Sequence, residues 1–387
     1  MSHVIVAWSI ACSVAMTSSA AVAGRQHHES DDQNEEPGNR HDNKKRFDFA
    51  VIGDTGYGAQ EADYVNGLIS ELSAAKLEFV MHVGDFKAPV AAQPCTDAFY
   101  LAVRNQFNLL THPFIYTPGD NEWIDCPVSG PPGSIAEERL AALRRIFFPG
   151  VDGDPLYSLG QRPMRLESQS ADAAHATFRE NTRWELGEIM FLTVNVPDTD
   201  NQGTTRCLQY DASNTCVRTG IDDTEWAART SANVDWINQA FDEAIAEDMK
   251  GIVVGTQVNF IGGFTPTRYS PTSPRYKAVL AAIKAGAKRF GGQVLLVHGD
   301  THTPRIDQPY NGIQSPEVAP GVFAGLPLAD VRENLTRIEV YGSTAASRAG
   351  VSPQQWFRVS VDPSTRRVFT IVPGELERRD RDGDDDE

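Results

Sequence analysis

Four apolar runs end in glycine followed by aspartate. Gly53-Asp54 lies in "FAVIGDTGYG", Gly84-Asp85 in "FVMHVGDFK", Gly119-Asp120 in "PGDNEW", and Gly299-Asp300 in "VHGDTH", where His302 closes the motif. Glycine lets the backbone turn sharply as a strand ends, and aspartate places a charged oxygen ligand beside the turn. One such corner is an ordinary turn or helix cap. Several carboxylates pointing into one crevice would repel one another unless a cation held them, so the repeated corner points to a metal site. Asp54-Thr55-Gly56 taken alone also matches an aspartic-protease turn. Pepsin-like chains carry two such turns on a nearly all-β fold, and retroviral-type chains are far shorter. This chain has one turn, 387 residues and a βαβ rhythm, which sets the protease reading aside.

The elements that must position these corners alternate. Strands are expected over Phe47–Gly53, Phe79–Gly84 and Phe114–Thr117, and helices over Gln60–Ala75, Asp97–Leu110 and Ile135–Phe148. Later come strand Ile189–Val196, helix Asp223–Asp248, strand Ile252–Thr256, helix Pro274–Phe290 and strand Val294–Val297. Three further apolar runs, Arg337–Tyr341, Phe357–Val361 and Val368–Val372, have no helical pattern between them and are expected to form an antiparallel meander. The alternation predicts an α/β fold with strands buried on both faces. In such sheets ligands sit beyond the carboxyl ends of the strands, where the Gly-Asp corners fall. The Gly-, Pro-, Ser-, Thr- or Asn-rich segments Asp198–Ile221, Gly262–Pro274 and Asp307–Asp330 read as loops over that crevice.

Hydrophobic residues make up 41% of the chain, enough for a sizeable core, and the formal charge is −17. That charge argues against a nucleic-acid-binding surface and repels anionic membranes. Residues 1–23 read as an export signal: Val4–Ala23 carries no Asp, Glu, Lys or Arg and ends in the small-residue site Ala21-Val22-Ala23. A polar linker is expected over 24–45, one domain over 46–373, and an acidic tail over 374–387. The mature chain is then periplasmic or extracellular, free of membrane once the signal is removed. Four cysteines remain, Cys95, Cys126, Cys207 and Cys216. An even set in an exported chain suggests disulfides, and four cysteines allow three connectivities. Cys95–Cys126 and Cys207–Cys216 are favoured, with free thiols as the alternative.

The order of these motifs resembles that of the calcineurin-like metallophosphoesterase superfamily: D-x-H, G-D-x-x-D/N, G-N-H-E/D, a lone His, then G-H-x-H. The chain looks like a divergent bacterial branch with "GDTG", "GD", "GDNEW" and "HGDTH". The resemblance implies a layered α/β sandwich with mixed sheets and helices on the outer faces. Asp54 matches the first ligand, with Gly56 in place of the imidazole. Asp85 matches the aspartate that bridges two metals. Asp120 stands for the metal-binding Asn, Asn121 for the substrate-contacting His, Gln257 for the lone His and Asp300 for the first His of the last motif. His302 matches the second.

The resemblance implies one or two divalent metal ions. One would be held by Asp54, Asp85 and His302, the other by Asp85, Asp120, Asp300 and Gln257. Lost imidazoles and added oxygens favour Mn, Mg or Ca over Zn. The implied chemistry is hydrolysis of phosphate mono- or diesters by a metal-activated hydroxide, with a small phosphorylated molecule as substrate. Asn121 would contact the phosphoryl group and His298 would be the general acid. Asn195, Arg305 and Lys87 are candidates for substrate contact. The alternative is a relative that binds metal or a phosphorylated ligand without turnover. No oligomeric state is read from the sequence.

Overall fold

A computed structural model describes residues 46–58, 61–150, 155–202, 207–211, 213, 215–219, 223–260, 274–309, 324–325, 334–343 and 356–374. For 61–62, 200, 207–210, 216–219 and 324–325 it describes the backbone alone. The expected signal segment and linker, and the acidic tail beyond Gly374, lie outside the described residues.

The first half of the chain runs β1 (Phe47–Ile52), α1 (Glu61–Ala74), β2 (Val80–His82), α2 (Asp97–Phe107), β3 (Phe114–Tyr116), α3 (Cys126–Ser129) and α4 (Ala136–Phe147). Then follow β4 (Leu156–Tyr157), β5 (Arg165–Ser168), β6 (Thr182–Leu186), β7 (Ile189–Thr193), the short turn α5 (Thr199–Gln202), and the hairpin β8 (Cys207–Tyr210) and β9 (Cys216–Thr219). The rest comprises α6 (Asp223–Ala246), β10 (Gly251–Gly255), α7 (Lys277–Arg289), β11 (Gln293–His298) and β12 (Arg305–Asp307). It ends with β13 (Ala324–Gly325), β14 (Leu335–Glu339), β15 (Phe357–Val361) and β16 (Phe369–Pro373).

Two mixed sheets result, ordered β16-β15-β1-β2-β3 and β13-β12-β14-β11-β10-β7-β6-β5-β4. Strands β1, β2 and β3 are parallel, as are β7, β10, β11 and β14. The sequence periodicity explains the layering. In β7, Ile189 and Phe191 join the core shared with the first sheet, whereas Met190 and Leu192 pack with Trp236 and Phe241 of α6 and Ile283 of α7. Strands β10 and β11 divide the same way, Val253 and Leu295 inward, Val254 and Leu296 toward the helices. Phe191 anchors the inner layer, with Phe49 and Phe79 edge-on at 5.4 and 5.1 Å and Trp184 stacked at 5.2 Å. Removing such a ring costs about 3–5 kcal/mol. Gly255 permits the close approach of the sheets, since a Cβ there would meet Met81 Sδ at 2.8 Å. Residues of α1, α2 and α4 belong to the same buried cluster as the first sheet. The fold is a layered α/β sandwich with helices on its outer faces.

Two expectations need correction. The three late apolar runs do not form one meander: β14 pairs parallel with β11 in the second sheet, while β15 and β16 are antiparallel neighbours in the first. The runs are equally apolar, and the partner of each is set by sequence-distant strands. The antiparallel strands β4, β5 and β6 were not expected. Polar residues interrupt them, and β4 spans two residues, too few for a period to register.

Candidate metal centre

The carboxyl ends of β1, β2 and β3 in one sheet and β7, β10 and β11 in the other open toward the same crevice. Backbone bonds stitch the ends together: Asp54 N donates to Gly84 O, Thr55 N to Asp85 O and Gly299 N to Gln257 O. Asp54, Asp85, Asp120 and Asp300 are all buried there. Asp54, Asp85, Asp300 and His302 have φ of 51, 59, 79 and 54°, left-handed backbone that costs non-glycine residues energy and collects at functional sites. Aspartate tolerates this conformation better than most, which is one reason these corners accept it.

Asp54 takes the backbone N–H of Asp300 on both oxygens at 3.0 Å, and His302 Nε2 lies 3.6 Å from Asp54 Oδ1. His302 Nδ1 bonds Ser343 O at 2.9 Å. Burial opposes protonation of His302, but the contact with Asp54 outweighs it and raises its pKa above the usual imidazole value. Asp85 Oδ2 accepts from Tyr57 Oη at 3.0 Å, Asn121 Nδ2 at 3.0 Å and Gln257 Nε2 at 3.2 Å, while Oδ1 accepts from Asn121 N at 3.2 Å. Asp120 accepts from Gln257 Nε2 at 3.3 Å and from Thr199 Oγ1. Burial, followed by repulsion from neighbouring acids, holds the carboxyls of Asp85, Asp120 and Asp300 well above the ordinary range. Asp300 Oδ2 is buried with no hydrogen-bond partner.

That donor set fits a hard divalent cation: buried carboxylate oxygens, mutual repulsion and one orphaned oxygen, which protons or cations must compensate. Two details set limits. Among the described residues the one trio of carboxylates with oxygens within 4.8 Å of one another is Glu185, Glu243 and Glu247, so the crevice carboxylates are more open than a closed ligand shell. Gln257 also turns its Nε2 toward Asp85 and Asp120, and its Oε1 accepts Asp198 N at 2.6 Å. It braces the carboxylates through its amide and does not offer them a free oxygen.

Glu122, the last acid of "GDNE", is buried and accepts Phe86 N and Gly119 N at 2.5 and 3.0 Å, clamping the β2 and β3 corners. Burial pushes its carboxyl up to about 7. Asn121 faces the crevice, its amide donating to Asp85 and, at 2.9 Å, to Tyr57 Oη. The other expected contacts are engaged elsewhere. Lys87 is buried, with Nζ donating to Ala88 O at 2.7 Å and Asn121 O at 3.0 Å. Arg305 pairs with Glu339 at 2.9 Å. Asn195 donates to Glu180 at 3.0 Å, and its carbonyl accepts from Arg229 and Asn233. His298 is fully buried, bonded through Nδ1 to Gly299 O at 2.9 Å, and burial, then Arg337, holds its pKa well below the usual value.

Sequence reasoning passed over Tyr57, although it lies within the first motif, and over Asp198 and Thr199, which end the β7 segment "NVPDT". An acid closing an apolar run, even without a preceding glycine, is the signal that marks Asp198. Cys95 and Cys126 form a disulfide with Cα atoms 5.7 Å apart, joining the segments that follow β2 and β3. The side chains of Cys207 and Cys216 lie outside the described residues.

No family model and no curated protein matches the sequence. Among solved structures the chain is similar to a dimetal phosphatase from Danio rerio, with 9% identity and a TM-score of 0.44 over 81% of this chain and 92% of that one.

Proposed function

We propose that the protein is an exported, metal-dependent phosphoesterase of the calcineurin-like metallophosphoesterase type, acting on phosphate mono- or diesters of small molecules. The observation that supports this reading is the crevice itself. Four buried carboxylates reach it from strand ends of both sheets, and the nearby cations Lys87 and Arg305 are tied to other partners. An anionic phosphate ester could enter such a place only with positive charge supplied to it.

Asp54, Asp85, Asp120, Asp300 and His302 would hold one or two divalent ions, of which Mn, Mg or Ca suit the oxygen donors. Bound there, the ions would offset the charge of the phosphoryl group and lower the pKa of water for attack. The chain's own residues orient and exclude. Asn121 Nδ2, on giving up its bond to Tyr57 Oη, would donate to a phosphoryl oxygen, and Tyr57, edge-on to His302 at 5.1 Å, would wall the crevice beside it. Glu122 keeps the two corners in register. Export rests on the Val4–Ala23 segment.

One observation favours a second reading, metal binding without turnover: Asp85 is already met by four protein donors. The test is to purify the mature chain, measure bound metal, and assay mono- and diester substrates with Mn²⁺, Mg²⁺ or Ca²⁺ beside Asp85→Asn. Turnover that needs both the ion and Asp85 supports the enzyme. Stoichiometric metal with no turnover supports the second reading, and no metal uptake overturns both.

A further inference from the structure

Tyr57, Asp85 and Asn121 close a ring of hydrogen bonds at the crevice. Tyr57 Oη donates to Asp85 Oδ2 at 3.0 Å, Asn121 Nδ2 donates to the same oxygen at 3.0 Å, and its other N–H reaches Tyr57 Oη at 2.9 Å. The phenol proton and both amide protons are therefore spent, and the ring depends on Asp85 Oδ2 as acceptor. Tyr57 is half-buried, with its ring edge-on to His302 at 5.1 Å and its hydroxyl reaching inward to buried Asp85. One side chain fixes the turn that carries it. Gln93, only 8% exposed, accepts Gly58 N at 3.0 Å and Ala88 N at 2.8 Å on Oε1, and donates Nε2 to Gly56 O at 2.5 Å. Gly56 and Gly58 have φ of 75 and 105°, left-handed backbone that glycine takes readily. A single buried amide thus ties both peptide groups flanking Tyr57 to the segment after β2.

We propose that Tyr57 is a phosphoryl-binding residue acting as a pair with Asn121, and that Gln93 is the positioning residue that holds it there. Asp85 Oδ2 faces three donors, from Tyr57, Asn121 and Gln257, which leaves that oxygen no lone pair for a cation. Serving as a ligand therefore means releasing donors. Tyr57 Oη–H and one Asn121 N–H then lack an acceptor, and an unmet polar group in a buried site costs free energy. The two donor atoms lie 2.9 Å apart, placed to bond neighbouring oxygens of one phosphoryl group. Lys87 and Arg305 are held by Asn121 O and Glu339, so neutral donors are left for the task. This inference rests on the metal-dependent reading above and adds to it a substrate contact that the carboxylates do not provide.

The test uses the full mature chain loaded with Mn²⁺, with inorganic phosphate as the probe and calorimetric titration as the readout. Circular dichroism checks that each variant folds. Tyr57→Phe removes one hydroxyl and is expected to bind Mn²⁺ at least as tightly as wild type, since it relieves Asp85 of a donor. Its affinity for phosphate should fall about tenfold or more. Gln93→Leu should weaken phosphate binding in the wild-type background but change it by less than about twofold in Tyr57→Phe, the mark of a residue that acts through Tyr57. Additive losses would overturn the role of Gln93. Equal phosphate affinity in Tyr57→Phe and wild type would overturn the inference, and turnover of p-nitrophenyl phosphate by both chains would then leave the phosphoesterase reading intact. A loss of Mn²⁺ affinity in Tyr57→Phe that accounts for the phosphate loss would also overturn it, as would wild type that takes up Mn²⁺ but no phosphate. No Mn²⁺ uptake by wild type would overturn the metal-dependent reading as well.

Discussion

Asp54 and Asp300 are locked across the two sheets, the single backbone N–H of Asp300 reaching both oxygens of the Asp54 carboxylate at 3.0 Å. The residue between His298 and Asp300 must be glycine for this to hold. A Cβ on Gly299 would lie 2.0 Å from Asp54 Oδ2, the movable end of a side chain and not backbone. Gly299→Ala is therefore expected to fold but to push the Asp54 carboxylate aside. Mn²⁺ affinity should fall about tenfold or more by titration, and the metal-free protein should melt earlier because Asp300 N loses its buried acceptor.

The raised carboxyls of Asp85, Asp120 and Asp300 set a pH dependence for the metal-free protein. Their native values lie above the ordinary 3.8, so between that pH and the raised values the folded state holds protons that the unfolded chain has released. Stability should then decline as pH rises from about 4. Thermal melts across pH in chelator should show the decline, and added Mn²⁺ should flatten it. Asp300→Asn, which neutralises the orphaned oxygen's side chain, should raise the melting temperature in chelator at pH 8 and remove part of the Mn²⁺ stabilisation.

Lys87 offers a different contrast. Its ammonium is buried against Ala88 O and Asn121 O, and Glu122 is the first of the acids that act on its charge. Lys87→Met should behave as a structural lesion, costing about 1–3 kcal/mol in urea unfolding because the carbonyls of Ala88 and Asn121 lose their buried donor. KM for a phosphate ester should change less than stability does. A large KM effect with unchanged stability would instead restore the substrate-contact role.

The Cys95–Cys126 bond closes a loop of sequence separation 31, for which chain entropy predicts about 3–4 kcal/mol. Both cysteines are buried, so mild reductant should act on the folded protein slowly. The double Ala variant is expected to melt earlier and to bind metal more weakly, since the bond joins the segments bearing Lys87 and Asn121. Equal metal affinity in the variant would show that Glu122 alone suffices to hold the corners.

Far from the crevice, Glu71 of α1 is buried beneath Trp356, whose Nε1 donates to Oε1 at 2.9 Å, while Oε2 has no partner. Burial pushes its carboxyl up from 4.5 to about 7. A raised acid favours the folded state below its unfolded value and loses that advantage as pH climbs to 7. Glu71→Gln keeps an acceptor for Trp356 and should remove up to about 3 kcal/mol of that loss. Melts at pH 5 and pH 8 compare the two chains.

The corners were legible in the sequence because glycine, aspartate and an apolar run coincide at Asp54, Asp85, Asp120 and Asp300, each cue reporting local backbone need. Alternation in β7 and β10 was legible for the same reason. What neighbours across the crevice do was not. Lys87 stands two residues beyond Asp85 in sequence, yet its charge is spent on carbonyls of the following segments. Asn195 closes a strand as the corners do, but Glu180 and Asn181, just before β6, claim it. The β14 run reads like its neighbours β15 and β16, and nothing local says that it belongs to the other sheet.

The left-handed backbone at Asp54, Asp85, Asp300 and His302 narrows what mutation can do to this molecule. At such angles β-branched and bulky residues are disfavoured whatever their chemistry, while Asn and Gly are tolerated. A saturation library selected only for folding should therefore return Asn and Gly at these four positions far ahead of Val, Ile or Thr. If the crevice holds ions, a lineage that lost them would drift first toward amides at these four positions, leaving asparagines where the carboxylates stood.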